Sequence, residues 1–268
     1  MGKLVPHGGV GRTLMNQKYG NSVSGGFYTE KNIHLKHITG LSEREQAALN
    51  SLQMVQRLVT RDADIIQPGE RLSRVLVMKE GWAIRYATMP DGRRQILSFV
   101  LPGDFISLHL DLNQKASFGV VSITSCKIVE IDGSEIGHAL RSLPAIVESL
   151  NWYVRREMTI LGDHTMRLGR MTAYERVCHL LLEIWSRQNF SGDVGDDRVA
   201  AFPLTQAIMA DALGLSVVHV NRQVMRLRRE NLVSIAKRKL TIHDDTKLRE
   251  VSGFRTDHLT PPVSEIAE

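Results

Sequence analysis

The chain has 268 residues, 43% of them hydrophobic, and a formal net charge of +5. That length suffices for two domains with sizeable cores, and no apolar run approaches the roughly 20 residues of a membrane span. Cys126 and Cys178 are the only cysteines, which excludes a disulfide framework or a cysteine-ligated metal cluster and fits a reducing cytoplasm.

Residues 1–30 are rich in Gly, Ser and Asn and show no hydrophobic period. They read as a flexible N-terminal extension. Lys3 and Arg12 are not followed by a continuous apolar stretch, so no secretory signal is expected. In Leu41 to Leu52, Ser42 and Glu45 stand at capping-box spacing and open a helix. From Val55 to about Ile131 the texture changes. Short runs of β-branched and aromatic residues alternate with the turns Gln67-Pro68-Gly69-Glu70, Lys79-Glu80-Gly81, Pro90-Asp91-Gly92 and Leu101-Pro102-Gly103-Asp104. Evenly spaced turn signals predict a jelly-roll-like β-roll within residues 31–135. Its interior is either a ligand pocket or packed side chains, and Trp82 and Tyr86 read first as core and second as a ligand platform.

From Ser134 the period becomes helical. Pro144 suits the first turn of a long helix running to about Met171. Ile146, Val147, Leu150, Val154, Met158, Leu161 and Leu168 make one apolar seam, interrupted by Gly162. Such a stripe needs a partner, so 136–171 reads as a dimerisation helix and the chain as a homodimer. A further helix spans Thr172 to Gln188, and 189–197 is a polar loop.

Residues 172–250 then read as a winged helix-turn-helix domain in an α+β protein. Thr205 caps a helix whose inner face carries Ile208, Met209, Ala212 and Leu213. Gly214 ends it and Ser216 caps the next. Val217, Val220, Val224 and Leu227 recur at inward spacing, while His219, Asn221, Arg222, Arg226, Arg228 and Arg229 face outward. A short helix, a Gly turn and a basic second helix make the helix-turn-helix pattern. Leu232 to Ile242 forms two short strands around Lys237-Arg238-Lys239, a wing whose cations suit a phosphate backbone. Asp244 to Phe254 can form a short helix, and 251–268 is assigned to a flexible tail. Between 217 and 240 seven cations face a single acid, Glu230, and this local basicity argues for a polyanionic partner.

The order of these parts resembles the Crp/Fnr family of bacterial transcription regulators over about residues 34–245. Pro68-Gly69-Glu70, Lys79-Glu80-Gly81, Asp91-Gly92-Arg93, Ile96-Leu97 and Leu101 to Phe105 match the family's β-roll turns in order. Ala210, Leu213 to Ser216, Val220, Arg222 and Leu227 match its helix-turn-helix. The resemblance implies a cytoplasmic homodimer on a two-fold DNA operator, one second helix per major groove, with RNA polymerase as a partner if it activates. It places Arg222, His219, Asn221, Val217 and Val218 at base-reading positions, Arg222 foremost because Arg suits guanine O6 and N7. Thr205, Ser216, Arg226, Lys237, Arg238 and Lys239 are the expected phosphate contacts.

The resemblance also implies what the sensor lacks. The family's cyclic-nucleotide binders clamp the phosphate with an Arg-Ser pair; counting back from Thr124-Ser125-Cys126, that pair falls on Ala116-Ser117, with only Lys115 adjacent. The Gly-Glu-Leu segment that meets the ribose is replaced by Ser107-Leu108-His109, and the adenine-facing Thr-Ser pair by residues around Ile160, Leu161 and Gly162. The oxygen-sensing branch's cysteines are missing before Cys126. The expected function is therefore a sequence-specific DNA-binding regulator without the cyclic AMP phosphate clamp. The alternative is a regulator gated by another effector: an anionic metabolite held by Lys115, Arg93 or Arg94, a haem, or a redox signal. Trp82, Tyr86, Gly103, Asp104, His109, Lys115 and Ser117 are the candidate effector pocket. His34, His37 and His109 could serve haem but read first as surface or hydrogen-bonded residues; Cys126 and Cys178 read as buried thiols. No metal site or cofactor is expected. No Gly-rich phosphate loop, metal-spaced His-Glu motif or nucleophile motif occurs, so no enzyme activity is expected.

Overall fold

The computed structural model describes residues 47, 51–107, 115–140, 144–189 and 198–259. His34, His37, His109 and most of the helix expected at 41–52 lie outside them. Strands β1 (Met54–Val59), β2 (Asp64–Ile66), β3 (Arg74–Glu80), β4 (Ala83–Thr88), β5 (Arg94–Val100), β6 (Phe105–Ser107), β7 (Gly119–Ser122) and β8 (Cys126–Asp132) form two antiparallel sheets. Their orders are β1-β8-β3-β6 and β2-β7-β4-β5. This is the β-roll that the turn spacing predicts. Every strand sends a side chain inward: Val59, Ile66, Met78, Ala83, Val100, Ile106, Val120 and Ile128 form one buried cluster, so packed side chains fill the roll's centre. Gly81 makes the β3–β4 turn possible. Its φ is +91°, and a Cβ there would come within 2.3 Å of the Ser125 carbonyl.

Helix α1 (Gly133–Leu140) leads into α2 (Pro144–Arg170), followed by α3 (Ala173–Asn189). Pro144 opens α2, where its missing N–H costs nothing. The long helix has two faces. Trp152, Tyr153, Arg156, Ile160, His164 and Arg167 are buried, while Val147, Val154, Met158 and Leu161 are exposed.

Helix α4 (Gln206–Leu213), helix α5 (Val217–Arg229) and a three-stranded sheet make the C-terminal unit. In that sheet β11 (Lys239–Ile242) lies between β10 (Val233–Ala236) and β9 (Val199–Ala201). The sequence reading missed β9 because Val-Ala-Ala is too short to carry a period. Helix α6 (Asp245–Ser252) is capped by the Asp244 side chain. The stretch assigned to a flexible tail from 251 begins packed: Phe254 and Leu259 are buried, and the Phe254 ring meets His179 edge-on at 4.9 Å. Two apolar anchors within a polar stretch hid this; 260–268 lie outside the described residues. One apolar core runs from Trp82, Ile84, Ile96 and Phe99 of the roll through Ile160 to Leu180, Leu213, Val224 and Leu240. Roll and C-terminal unit therefore share a core.

Candidate nucleic-acid interface

The caps that bracket the α4–α5 turn are built from the residues that the sequence marks. The Thr205 hydroxyl accepts from the Ile208 N–H and the Ser216 hydroxyl from the His219 N–H, both at 3.2 Å. Each such cap contributes about 1 kcal/mol. Gly214 takes φ 60° and donates its N–H to the Ala210 carbonyl, which closes α4 and turns the chain toward α5. Val220, Val224 and Leu227 are buried beside Met209, Ala212 and Leu213. Burial of each large side chain stabilises the pair by on the order of 1.5–3 kcal/mol.

The same rotation leaves the other face of α5 in solvent. Val217 is 45% and Val218 68% exposed, and His219, Asn221, Arg222 and Met225 are exposed beside them. Val217 thus departs from its expected inward position, because the first residue of α5 lies ahead of the packed stripe. Asn221 Nδ2 donates to Gln206 Oε1 at 3.1 Å. The other cations divide by task. Arg226 pairs with Glu230 at 2.8 Å and lies 4.0 Å over the Tyr174 ring, so it braces α5 against α3. Arg228 donates to the Ile235 carbonyl and fastens the wing to α5. Lys237 and Arg238 form the wing's tip, with φ of 49° and 60°, the left-handed pair of a tight hairpin turn. Lys239, expected in that turn, instead opens β11 and pairs with Ala236. All three cations are exposed.

The described candidate effector residues each have local contacts of their own. Trp82 is buried in the shared core. Tyr86 covers Gly119, where a Cβ would come within 2.5 Å of its ring. Gly103 donates its N–H to the Met78 carbonyl. Lys115 and Ser117 are exposed, and Lys115 bridges Arg71 through the backbone. Arg93 pairs with Asp91 at 2.7 Å and Arg94 with Asp211 of α4 at 2.8 Å. Burial raises the Cys178 thiol to about 12 and also raises that of Cys126, as befits inert thiols.

Asp104 has a different task. Its carboxylate accepts from Arg156 of α2 at 2.7 Å, from Arg187 of α3, and from the Leu101 N–H at 2.8 Å. Arg187 also donates to the Phe99 carbonyl at 3.0 Å and pairs with Glu183 at 3.4 Å, which in turn pairs with Arg167. All five side chains are buried. Burial alone would raise the Glu183 carboxyl, but the Arg167 and Arg187 guanidiniums outweigh it and hold it at about 2. Alongside, burial and then the charge of Arg167 push His164 and His179 down to about 4. Sequence reasoning missed this cluster. Its signal was present: His179, Glu183 and Arg187 recur every four residues on α3, as Trp152, Arg156 and Ile160 do on α2.

Among the described residues no helix is long and apolar enough to cross a membrane. Residues 56–142 match the family model for a cyclic nucleotide-binding domain and 175–251 that for a Crp-like helix-turn-helix domain. The transcriptional activatory protein AadR of Rhodopseudomonas palustris is 30% identical over 171 residues, 64% of this chain and 70% of that one. The nitrogen fixation regulation protein FixK of Bradyrhizobium diazoefficiens is 28% identical over 174 residues, 65% and 72% of the two chains. The structure of FixK2 from Bradyrhizobium japonicum superposes with a TM-score of 0.66 at 25% identity, covering 75% of this chain and 98% of that one. The chain therefore belongs to the Crp/Fnr family of DNA-binding transcription regulators.

Proposed function

We propose that this protein is a sequence-specific regulator that binds a two-fold symmetric operator as a cytoplasmic homodimer, and that its sensor does not clamp a cyclic nucleotide phosphate. The observation that carries the reading is the exposed face of α5, capped by Ser216 and flanked by the Lys237-Arg238 tip of the wing. A helix braced from behind through Tyr174 and Glu230, with Arg222 in solvent, suits insertion into a major groove. Thr205 and Ser216 both sit at helix N-termini, where backbone N–H groups favour phosphate oxygens. The missing clamp rests on Ala116, buried where the family's arginine would stand, beside the exposed Lys115 and Ser117. The alternative of an anionic effector finds less support, since Arg93 and Arg94 are already paired with acids.

Operator selection from random duplex DNA tests the reading, using purified protein without added effector. Enrichment of a two-fold site is expected. Arg222→Ala should then relax selection at one base pair per half-site, by about 1–3 kcal/mol of discrimination. If Arg222→Ala selects an unchanged sequence, the reading face is misassigned.

A further inference from the structure

We propose that Gln206 is a positioning residue that orients the Asn221 amide to read an adenine in each half-site. This rests on the reading of α5 as the groove-entering helix and names a base that it would recognise. Gln206 is the first residue of α4, and Asn221 lies one turn into α5, on its exposed face. The Asn221 Nδ2 donates across the α4–α5 junction to Gln206 Oε1 at 3.1 Å.

The chemistry follows from what that bond leaves over. A primary amide has two N–H donors and one carbonyl acceptor. A free asparagine on a solvated helix can rotate its amide by a half turn and present either end. Here one N–H is committed to Gln206. What remains for a partner is the second N–H and the Oδ1 oxygen, side by side in one plane. Adenine offers the complement in the major groove, N7 as acceptor and the N6 amino group as donor. Turning the Asn221 amide over by itself would set its oxygen against the Gln206 oxygen, so before DNA arrives the bond confines Asn221 to orientations in which the Gln206 amide turns with it. The conformational freedom lost on binding is thereby reduced. The neighbours agree with this assignment: Val217 and Val218 present methyl groups, which can touch thymine methyls but cannot compete for a hydrogen-bonding base edge.

The test uses the full chain and the operator that it selects. Binding is measured to that operator and to versions with each base pair replaced in turn, for wild type, Asn221→Ala, Gln206→Ala, Gln206→Glu and the Asn221→Ala/Gln206→Ala pair. Melting temperatures are recorded to establish that each variant folds. Asn221→Ala should lose discrimination for adenine at one pair per half-site, by roughly 5- to 150-fold. Gln206→Ala should lose discrimination at that same pair, and the double variant should lose no more than Asn221→Ala alone. Gln206→Glu offers only acceptors at this position and should keep the adenine preference, with weaker binding to every sequence from the added negative charge.

Any of these results would overturn the inference: Gln206→Ala weakening all sequences alike, as loss of a phosphate contact does; Gln206→Ala and Asn221→Ala acting at different base pairs; or Gln206→Glu losing the preference as Gln206→Ala does. An Asn221→Ala protein with unchanged selection, alongside an altered Arg222→Ala protein, sinks this inference and leaves the reading of α5 standing. A wild-type protein that selects no symmetric site sinks both.

Discussion

Lys237 and Arg238 stand where a hairpin of this kind favours Asn-Gly or Gly-Gly, since both φ angles are positive. A left-handed conformation costs an L-residue with a Cβ roughly 1–2 kcal/mol. Keeping two cations in such positions sets local stability against charge at the wing's tip. The variant Lys237→Asn/Arg238→Gly should therefore melt higher, by roughly 2–4 °C for each kcal/mol recovered. It should also bind every duplex more weakly, with the slope of log affinity against log salt shallower by about 2. A higher melting temperature with unchanged salt dependence would show that the tip does not reach phosphate. At this scale the sequence was informative wherever chemistry is local. The Thr205 and Ser216 caps, the Gly214 stop and the wing's cations all follow from residue type and spacing. The stacking of Arg226 on Tyr174 was not legible, because its partner lies 52 residues away and only the fold brings them together.

Helix α2 shows how a pattern can be read for one face and missed for the other. Met158, 68% exposed, and Leu161, 53% exposed, lie on a stripe with Val147 and Val154, part of the seam that the sequence assigns to dimerisation. Their exposure in one chain supports a second copy as the cover, each large side chain contributing on the order of 1.5–3 kcal/mol once buried. Sedimentation of Met158→Lys/Leu161→Glu should show monomers at concentrations where the wild type is paired, with affinity for a full two-fold operator falling toward that for a half-site. A paired variant would remove this stripe from the interface. The opposite face of α2 carries Arg156, His164 and Arg167, all buried. In a sequence, charges at helical spacing read as a solvated face. Only the matching acids on other elements, Asp104 and Glu183, turn them into an interior.

Across the whole molecule, that interior makes stability depend on pH in a defined direction. His164 and His179 are held at about 4 by burial and by Arg167, whereas an unfolded histidine titrates near 6.5. Between these values the unfolded chain takes up protons that the folded chain refuses. Stability is therefore lost as pH falls from about 6.5 toward 4, by up to about 1.4 kcal/mol per pH unit for each histidine. Glu183, held at about 2, adds stability above its unfolded value of 4.5 that is lost below it; Asp163, raised by burial, acts in the opposite sense. Unfolding measured from pH 7.5 to 4.5 should show this decline, and His179→Gln should flatten it. An unchanged slope in that variant would assign the acid lability to other groups.

Two family models divide this chain at its middle, yet Asp104 of the roll pairs with Arg156 of the long helix and with Arg187 beyond it. Modularity in sequence is not modularity in folding. A fragment starting at residue 172 would carry Glu183 and Arg187 without Asp104 or Arg167, and would expose to water the apolar residues of α3 that the roll and the long helix cover in the intact chain. The intact chain should accordingly unfold in a single calorimetric transition. Exchanging its C-terminal half for that of a relative should fail unless the acid and its two arginines are transplanted together.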